Sequence, residues 1–590
     1  MAYRKRSALV AGAITGIRYA VKSFEPSLMP RSAIDQGLIT GGSFLTGFLS
    51  GTLITRTVGA IPLVRSSGFI RVVGFGAAAT RTAQALRNRL DAGESTHSPA
   101  TAWAEAGGEV AGAAALAGLT KHNDVPLATV ATTVAVGLAT ASDAQAALAG
   151  RTDSPDIKYI ATALGVAFGS TAAVAALAGV IVAGGLVPRV FVKSTALRGL
   201  LGVAGSTATA VGIAAAVRLA GSRAIARIEA GNAHTEIAFA NEPNLNTVSG
   251  SQYSLAPYAT LGLQGRRLVS SVTSPEVISE VMGERPTAEP VRAYIGMETV
   301  ESDEDPVELA IQELRRTGGF ERSIILAASP AGTGYVNYIT IEAAELMTLG
   351  DIATVAIQYG GLPSMLSAGR VKQASDLYAA LIKRLRHEID QLDRGIQLVA
   401  YGESLGALTS QNGVQMASRN GGLAVDAALW VGTPLGSSLF EELTGVQGLP
   451  VYDRFEQYEE DAAAGKRPTV TFLNHDNDPV TKFTPASAYR MPDWLMAADR
   501  GRGTNPNQRW LPGIAFWQDL IDTKNAATVV PGEFYSTGHD YRADLAGFVR
   551  AAYGFNDVTS DQMARIEQRL RTSEIDRAER ISQGHVPTSK

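Results

Sequence analysis

At 590 residues and a net charge of −4, the chain exceeds a single hydrophobic core and lacks the electrostatic footprint of a nucleic-acid binder. It contains no cysteine, which excludes disulfides, thiolate metal sites and a cysteine nucleophile and leaves the compartment undecided by redox chemistry. A mean hydropathy near zero hides two unlike halves: an Ala/Gly/Val/Leu-rich, charge-poor region up to about Gly221, and a mixed, charged region after it.

In chain order, the basic start at Arg4, Lys5 and Arg6 precedes the apolar run Ser7–Ile17, like the front of a signal peptide. Arg18 and Lys22 follow, and more apolar spans come later, so no cleavage is expected. Gly37–Thr55, Pro126–Ser142, Tyr159–Pro188 and Gly199–Val217 are uncharged, at or near the length that crosses a hydrocarbon core. They are rich in the small residues that closely packed membrane helices use at their contacts. A soluble all-helical domain is the alternative, but the length of Tyr159–Pro188 favours membrane insertion. Val58–Val64, Val72–Thr80 and Val110–Thr120 add weaker candidates, giving about four to seven passes. Arg56, Arg71, Glu105 and Glu109 lie in or beside these weaker runs, as functional groups or as loop and interface residues. The Lys/Arg distribution leaves the sidedness open.

Residues 1–221 are therefore expected to form a multi-pass helical domain, followed by a connector over 222–289. Within it, Ser222–Ala240 reads as a helix leaving the membrane and Asn241–Glu289 as a polar stretch lying on the next domain. Strands are predicted at Val291–Ile295, Ser323–Ala328, Ala353–Ile357, in the apolar run that begins at Ile396, and at Ala424–Val431, Thr469–Leu473 and Ala527–Val530. Helices are predicted at Asp305–Thr317, Ile341–Leu349 and Val371–Leu392, the last with Leu377, Leu381, Leu385, Ile389 and Leu392 on one face. This βαβ alternation over 290–555 predicts a mostly parallel sheet with helices on both faces, an α/β domain. A charged helical tail over 556–590 reads as a solvated face.

The stretch Ile396–Ala407 is an apolar run that stops at Gly402-Glu403-Ser404-Leu405-Gly406. Gly-x-Ser-x-Gly arises by chance about 0.4 times in a chain this long and this rich in glycine. Its context is a β-type run before it and a helix-compatible run after it, which is what a strained strand-to-helix serine turn requires. A serine hydroxyl is a poor nucleophile until a base removes its proton, so Ser404 needs a histidine and a group to orient it. Of the seven histidines, His97, His122 and His234 fall in or near the first half, His387 on the charged face of a helix, and His585 in the tail. His539, in Gly538-His539-Asp540-Tyr541 after the last predicted strand, suits the order serine, acid, histidine. His475 reads as a loop-tip residue. The acid comes from Asn474-His475-Asp476-Asn477-Asp478-Pro479, with Asp478 preferred because Pro479 fixes the backbone after it, and Asp476 the alternative. Oxyanion donors are expected from the amide of Leu405 and from Gly332 and Thr333 in the glycine loop after Ser323–Ala328. A phosphate cradle there would lack its Gly-Lys-Ser/Thr ending.

With these residues, the segments Pro290–Gly296, Gly332–Gly334, Gln358-Tyr359, Leu362–Ser364, Gly402–Ala407, Asn477–Pro479, Arg509–Pro512 and Gly538–Tyr541 resemble a bacterial α/β-hydrolase family in which the hydrolase domain follows an N-terminal multi-pass membrane domain. Pro26–Arg31 is similar to the start of that family's membrane domain, while Gly360-Gly361 departs from its bulkier pattern. The resemblance implies a serine hydrolase. The expected reading is a membrane-anchored, esterase- or lipase-like enzyme of the bacterial plasma membrane that cleaves an acyl ester of a lipid. It uses Ser404, Asp478 and His539, with no cofactor or metal. An acyltransferase on the same triad is the nearest alternative. A transport or scaffold protein with a non-catalytic hydrolase-like domain is the other.

Overall fold

The structure, a computed structural model, describes residues 2–58, 98–119, 155–190, 236–300, 304–418, 422–526 and 529–583. The chain divides into two compact units, one of Met1–Arg218 with Lys482–Asn525 and one of Leu219–Thr481 with Ala526–Lys590. Lys482–Asn525, inside the range expected of the hydrolase domain, thus groups with the N-terminal half.

In the first unit, Gly37–Thr55 falls in the helix Ala33–Val58, Tyr159–Pro188 in Ile157–Val190, and Val110–Leu119 in Pro99–Leu119. Two of the described helices have segments long and apolar enough to cross a membrane, Ala33–Thr57 and Ile157–Val174. The expected spans Pro126–Ser142 and Gly199–Val217, the run Val72–Thr80, nearly all of Val58–Val64 and most of Ser222–Ala240 lie outside the described residues. Glu105 and Glu109 pair with Lys22, so these carboxylates are spent inside the unit. The segment before the helix Ala33–Val58 is tied to Lys482–Asn525: Arg509 pairs with Glu25, and Asp522 accepts the Leu28 amide at 2.9 Å.

The second unit is built on seven parallel strands in the order β1-β3-β2-β4-β5-β7-β6. They are β1 Val291–Ile295, β2 Ile324–Ser329, β3 Ile352–Ile357, β4 Gln397–Glu403, β5 Ala427–Val431, β6 Val451–Tyr452 and β7 Val470–Leu473. Every residue of β1, β2, β3, β5 and β7 is buried, as a parallel sheet covered on both faces requires. The helix Val371–Asp390 buries Tyr378, Leu381, Ile382, Leu385 and Ile389, whereas Leu377 is half-buried and Leu392 lies beyond the helix and exposed. The helix expected at Ile341–Leu349 runs from Tyr338 to Met347, because the Asn337 side chain caps it by accepting the Ile339 amide at 3.0 Å.

Three expectations are corrected. Val529 and Val530 form no strand and are about half exposed; Pro531, which has no ladder N–H, follows directly, and Ala527 and Thr528 lie outside the described residues. The stretch Asn241–Glu289 does not merely lie on the domain. It buries Val248, Leu261, Leu268 and Ile278 in the main core, and Val248 bridges to Arg292 of β1. The tail helix Ser560–Gln583 is not a solvated face either: Met563, Ile566 and Leu570, at spacings of three and four, enter the same core.

Arg292, fully buried in β1, is matched by Glu345, with Nε–Oε1 at 2.6 Å and Nη2–Oε2 at 2.7 Å, while Nη1 donates to the Leu268 carbonyl at 2.7 Å. Losing one member would strand the other charge, which costs about 3–5 kcal/mol.

Candidate active site

The carboxyl ends of β4, β5 and β7 are laced together. Ser404 N–H donates to the Val431 carbonyl at 2.9 Å, Gly432 N–H to Leu473 at 2.8 Å, and Thr433 N–H to the Asn474 side chain at 2.9 Å. This end of a parallel sheet is where open α/β folds place their ligands.

Ser404 sits between β4 and the helix Leu405–Ala417, with φ 57° and ψ −128°. Only Leu349 shares a positive φ among the described non-glycine residues, so the strain is confined and of roughly 1–3 kcal/mol. Gly402 and Gly406 make the turn possible: a Cβ at Gly402 would collide with the Gly406 carbonyl, and one at Gly406 with the Ser329 carbonyl at the end of β2. The loop after β2 is thereby held against the elbow. Within it the amides of Ala331 and Gly334 are spent on the carbonyls of Tyr335 and Ala331, both at 2.8 Å. Gly332 is buried, and a Cβ there would meet the Leu362 carbonyl at 2.5 Å. The Thr333 carbonyl accepts from Gln358 Nε2 at 3.0 Å.

His539 Nδ1 lies 2.7 Å from Asp478 Oδ2, and Asp478 is fully buried. Asp478 Oδ1 accepts the Val480 amide at 2.8 Å. Asp476 is not brought into this pair; its amide donates to Asp453 Oδ1 at 2.8 Å. The His539 ring rests on Gly432, where a Cβ would come within 2.7 Å of its Cε1; Gly432 directly follows Val431, the residue that holds the Ser404 amide. Burial opposes the imidazolium of His539, but the Asp478 carboxylate and its hydrogen bond outweigh this, with Glu403 and Asp540 adding to them. The pKa is therefore raised above its ordinary value.

Several residues that sequence reasoning did not single out hold this pair in place. Tyr541 O–H donates to Asp478 Oδ2 at 2.5 Å and accepts the His475 amide at 3.1 Å. Burial and the adjacent Asp478 carboxylate push the Tyr541 phenol well up, so it stays a donor. His475 is not a loop-tip residue: it is buried, stacked on Tyr541 at 4.1 Å, with Nδ1 2.9 Å from the Gly538 carbonyl and Nε2 3.2 Å from Asp544. The Asn477 side chain donates to Thr537 Oγ1 and accepts the Gly538 amide, both at 2.8 Å. The acid turn, through His475, Asn477 and Asp478, is thus stitched to Thr537, Gly538, His539 and Tyr541 of the histidine loop, which is further fixed by the Asp540–Arg542 pair. Glu403, the residue before Ser404, accepts from Tyr401 O–H and Asn337 Nδ2, each at 2.7 Å. Only the order of serine, aspartate and histidine was available to find these groups. Among the described residues no cluster of three or more His, Cys, Asp or Glu suited to a metal ion occurs.

Two family models match the chain. One, described as an alpha/beta-hydrolase family, covers residues 291–566, and the other, the N-terminus of an alpha/beta-hydrolase family, covers residues 24–272. The seven-stranded parallel sheet with its helices fits that fold. Comparison with curated proteins and with solved structures finds no match.

Proposed function

Starting from the α/β-hydrolase family that both matches indicate, we propose that the chain is a membrane-anchored serine hydrolase that cleaves an acyl ester of a lipid through an acyl-enzyme on Ser404. The observation that carries this reading is the buried Asp478–His539 pair on Gly432, one residue beyond the carbonyl that fixes the strained Ser404.

With Nδ1 committed to Asp478, Nε2 of His539 is the nitrogen left to take the Ser404 proton as Oγ attacks the acyl carbonyl. The carbonyl oxygen becomes an oxyanion, held by the Leu405 amide at the helix start and by the Gly332/Thr333 segment. Collapse breaks the ester C–O bond, and His539 returns its proton to the departing alcohol. Water then repeats the sequence on the acyl-enzyme, releasing the acid and restoring Ser404. Asp478 holds the imidazole tautomer and stabilises the imidazolium.

Membrane attachment is supported by apolar side chains that the first unit leaves exposed on its two long helices, among them Leu49, Leu53, Ile157 and Phe168. A multi-pass bacterial plasma-membrane protein would cover them with lipid, and a hydrolase fixed there meets amphiphilic esters at high local concentration.

The test is hydrolysis of p-nitrophenyl and glycerol esters of increasing chain length by the full chain in detergent. Ser404→Ala should lower kcat/KM by about 10⁴ or more on every active substrate. Wild-type turnover no better than that of the variant across the panel would overturn the reading. Added glycerol or another alcohol that diverts product from acid to new ester would identify the acyltransferase form of the same chemistry.

A further inference from the structure

A cavity of about 220 Å³ lies in the second unit between the tail helix Ser560–Gln583, the helix Tyr338–Met347 and the segment Ser270–Val277. None of the elbow, acid-turn or histidine-loop residues lines it. Its lining includes Arg569, Ser573, Arg577 and Arg580, which follow one another on the tail helix at spacings of four, four and three and so form one stripe. Thr273 and Ser274 belong to the facing wall.

The charges do not cancel. Against three guanidinium groups stand the carboxyls of Glu342 and Asp576. Glu342 is bonded to Arg577 Nη2, so its carboxylate is already matched inside the wall. Arg577 is itself buried, its guanidinium stacked 4.2 Å from the Tyr338 ring centroid, yet its Nε–H has no hydrogen-bond partner among the described residues. Arg577 thus places a fixed positive charge behind the wall, and the guanidinium groups of the lining that a ligand can reach are those of Arg569 and Arg580.

We propose that this cavity binds a phosphate monoester dianion. The guanidinium groups of Arg569 and Arg580, with the charge of Arg577 behind them, offer more donors than the two oxygens of a carboxylate can take, whereas a phosphate presents three. A water occupies roughly 30 Å³ of liquid, so the space takes a phosphate together with a short organic group. The phosphate can be carried by a soluble metabolite or by the headgroup of a lipid. The site does not depend on Ser404 being a nucleophile.

Isothermal titration of the full chain in detergent with inorganic phosphate, glycerol 3-phosphate and short-chain phosphatidic acid tests this, with glycerol as the blank. At least one phosphate compound should bind one-to-one, and the Arg569→Gln/Arg580→Gln variant should bind it about tenfold or more weakly. Both arginines are at least partly exposed, so the variant keeps the Arg577–Glu342 packing. Tighter binding of glycerol 3-phosphate assigns a soluble ligand, and tighter binding of phosphatidic acid a lipid headgroup. Ser404→Ala should bind as the wild type does, which separates this site from the fate of the hydrolase reading. Heats equal to the glycerol blank for all three compounds up to about 10 mM, or unchanged affinity in the double variant, would overturn the proposal.

Discussion

Replacing Asp478 with asparagine is the most informative small change, because the structure dictates how the new amide must lie. Asp478 Oδ1 accepts the Val480 amide at 2.8 Å, whereas Oδ2 faces His539 Nδ1 at 2.7 Å and Tyr541 O–H at 2.5 Å. An asparagine keeps its carbonyl toward the Val480 N–H, since the reverse orientation would set two donors face to face. Its NH₂ then points at His539, whose Nδ1 must accept, so the ring proton moves to Nε2. An imidazole protonated there cannot take the Ser404 proton. The wrong tautomer should lower kcat by about 10⁴, equivalent to about 5.4 kcal/mol at 1.36 kcal/mol per decade. Asp476→Asn, outside the pair, should stay within about threefold of wild type. The assay is steady-state hydrolysis of the best ester by both variants, with circular dichroism to check that each is folded. Asp478→Asn retaining a tenth or more of wild-type activity, or a ranking with Asp476→Asn the more damaged, would refute the assignment of the acid.

Three further outcomes follow from the same geometry. A general base works only when neutral, and the pKa of His539 is raised above 6.5, so the acid limb of the kcat/KM profile should have its midpoint above that value and activity should climb as pH rises through it. Glu403→Gln removes one of the charges that raise it, so the limb should move to lower pH; an unmoved limb would remove Glu403 from the electrostatics of the site. Tyr541→Phe strips one donor from Asp478 and leaves the buried His475 amide without its acceptor, so stability should fall by about 1–3 kcal/mol, read as a lower denaturation midpoint. An unchanged midpoint would mean that the stitching between the two loops is not a stability element.

Much of the second unit was legible because its signals are local. Short runs of β-branched residues marked β1, β2, β3 and β7 to within a residue or two, and the glycine pair around Ser404 forecast a strained turn from steric need alone. What escaped depends on partners distant in sequence. Val451–Tyr452 is a two-residue strand that exists because β7 pairs with it, and Tyr541 meets Asp478 across 63 positions with no periodicity to announce it. Met563, Ile566 and Leu570 had the right spacing for burial, but the charges between them masked it. Lys482–Asn525 groups with the N-terminal half through partners hundreds of positions away, such as Asp522 with the Leu28 amide, which no local pattern announces.

Hydrolysis by this chain requires Ser404 to be a hydroxyl activated by His539, and reaction of the folded, full-length protein with a fluorophosphonate probe reads that directly. Mass spectrometry should find a single adduct on Ser404, absent in Ser404→Ala and formed about 10³-fold or more slowly in His539→Ala. No adduct on the wild-type protein, or equal rates with and without His539, would contradict it.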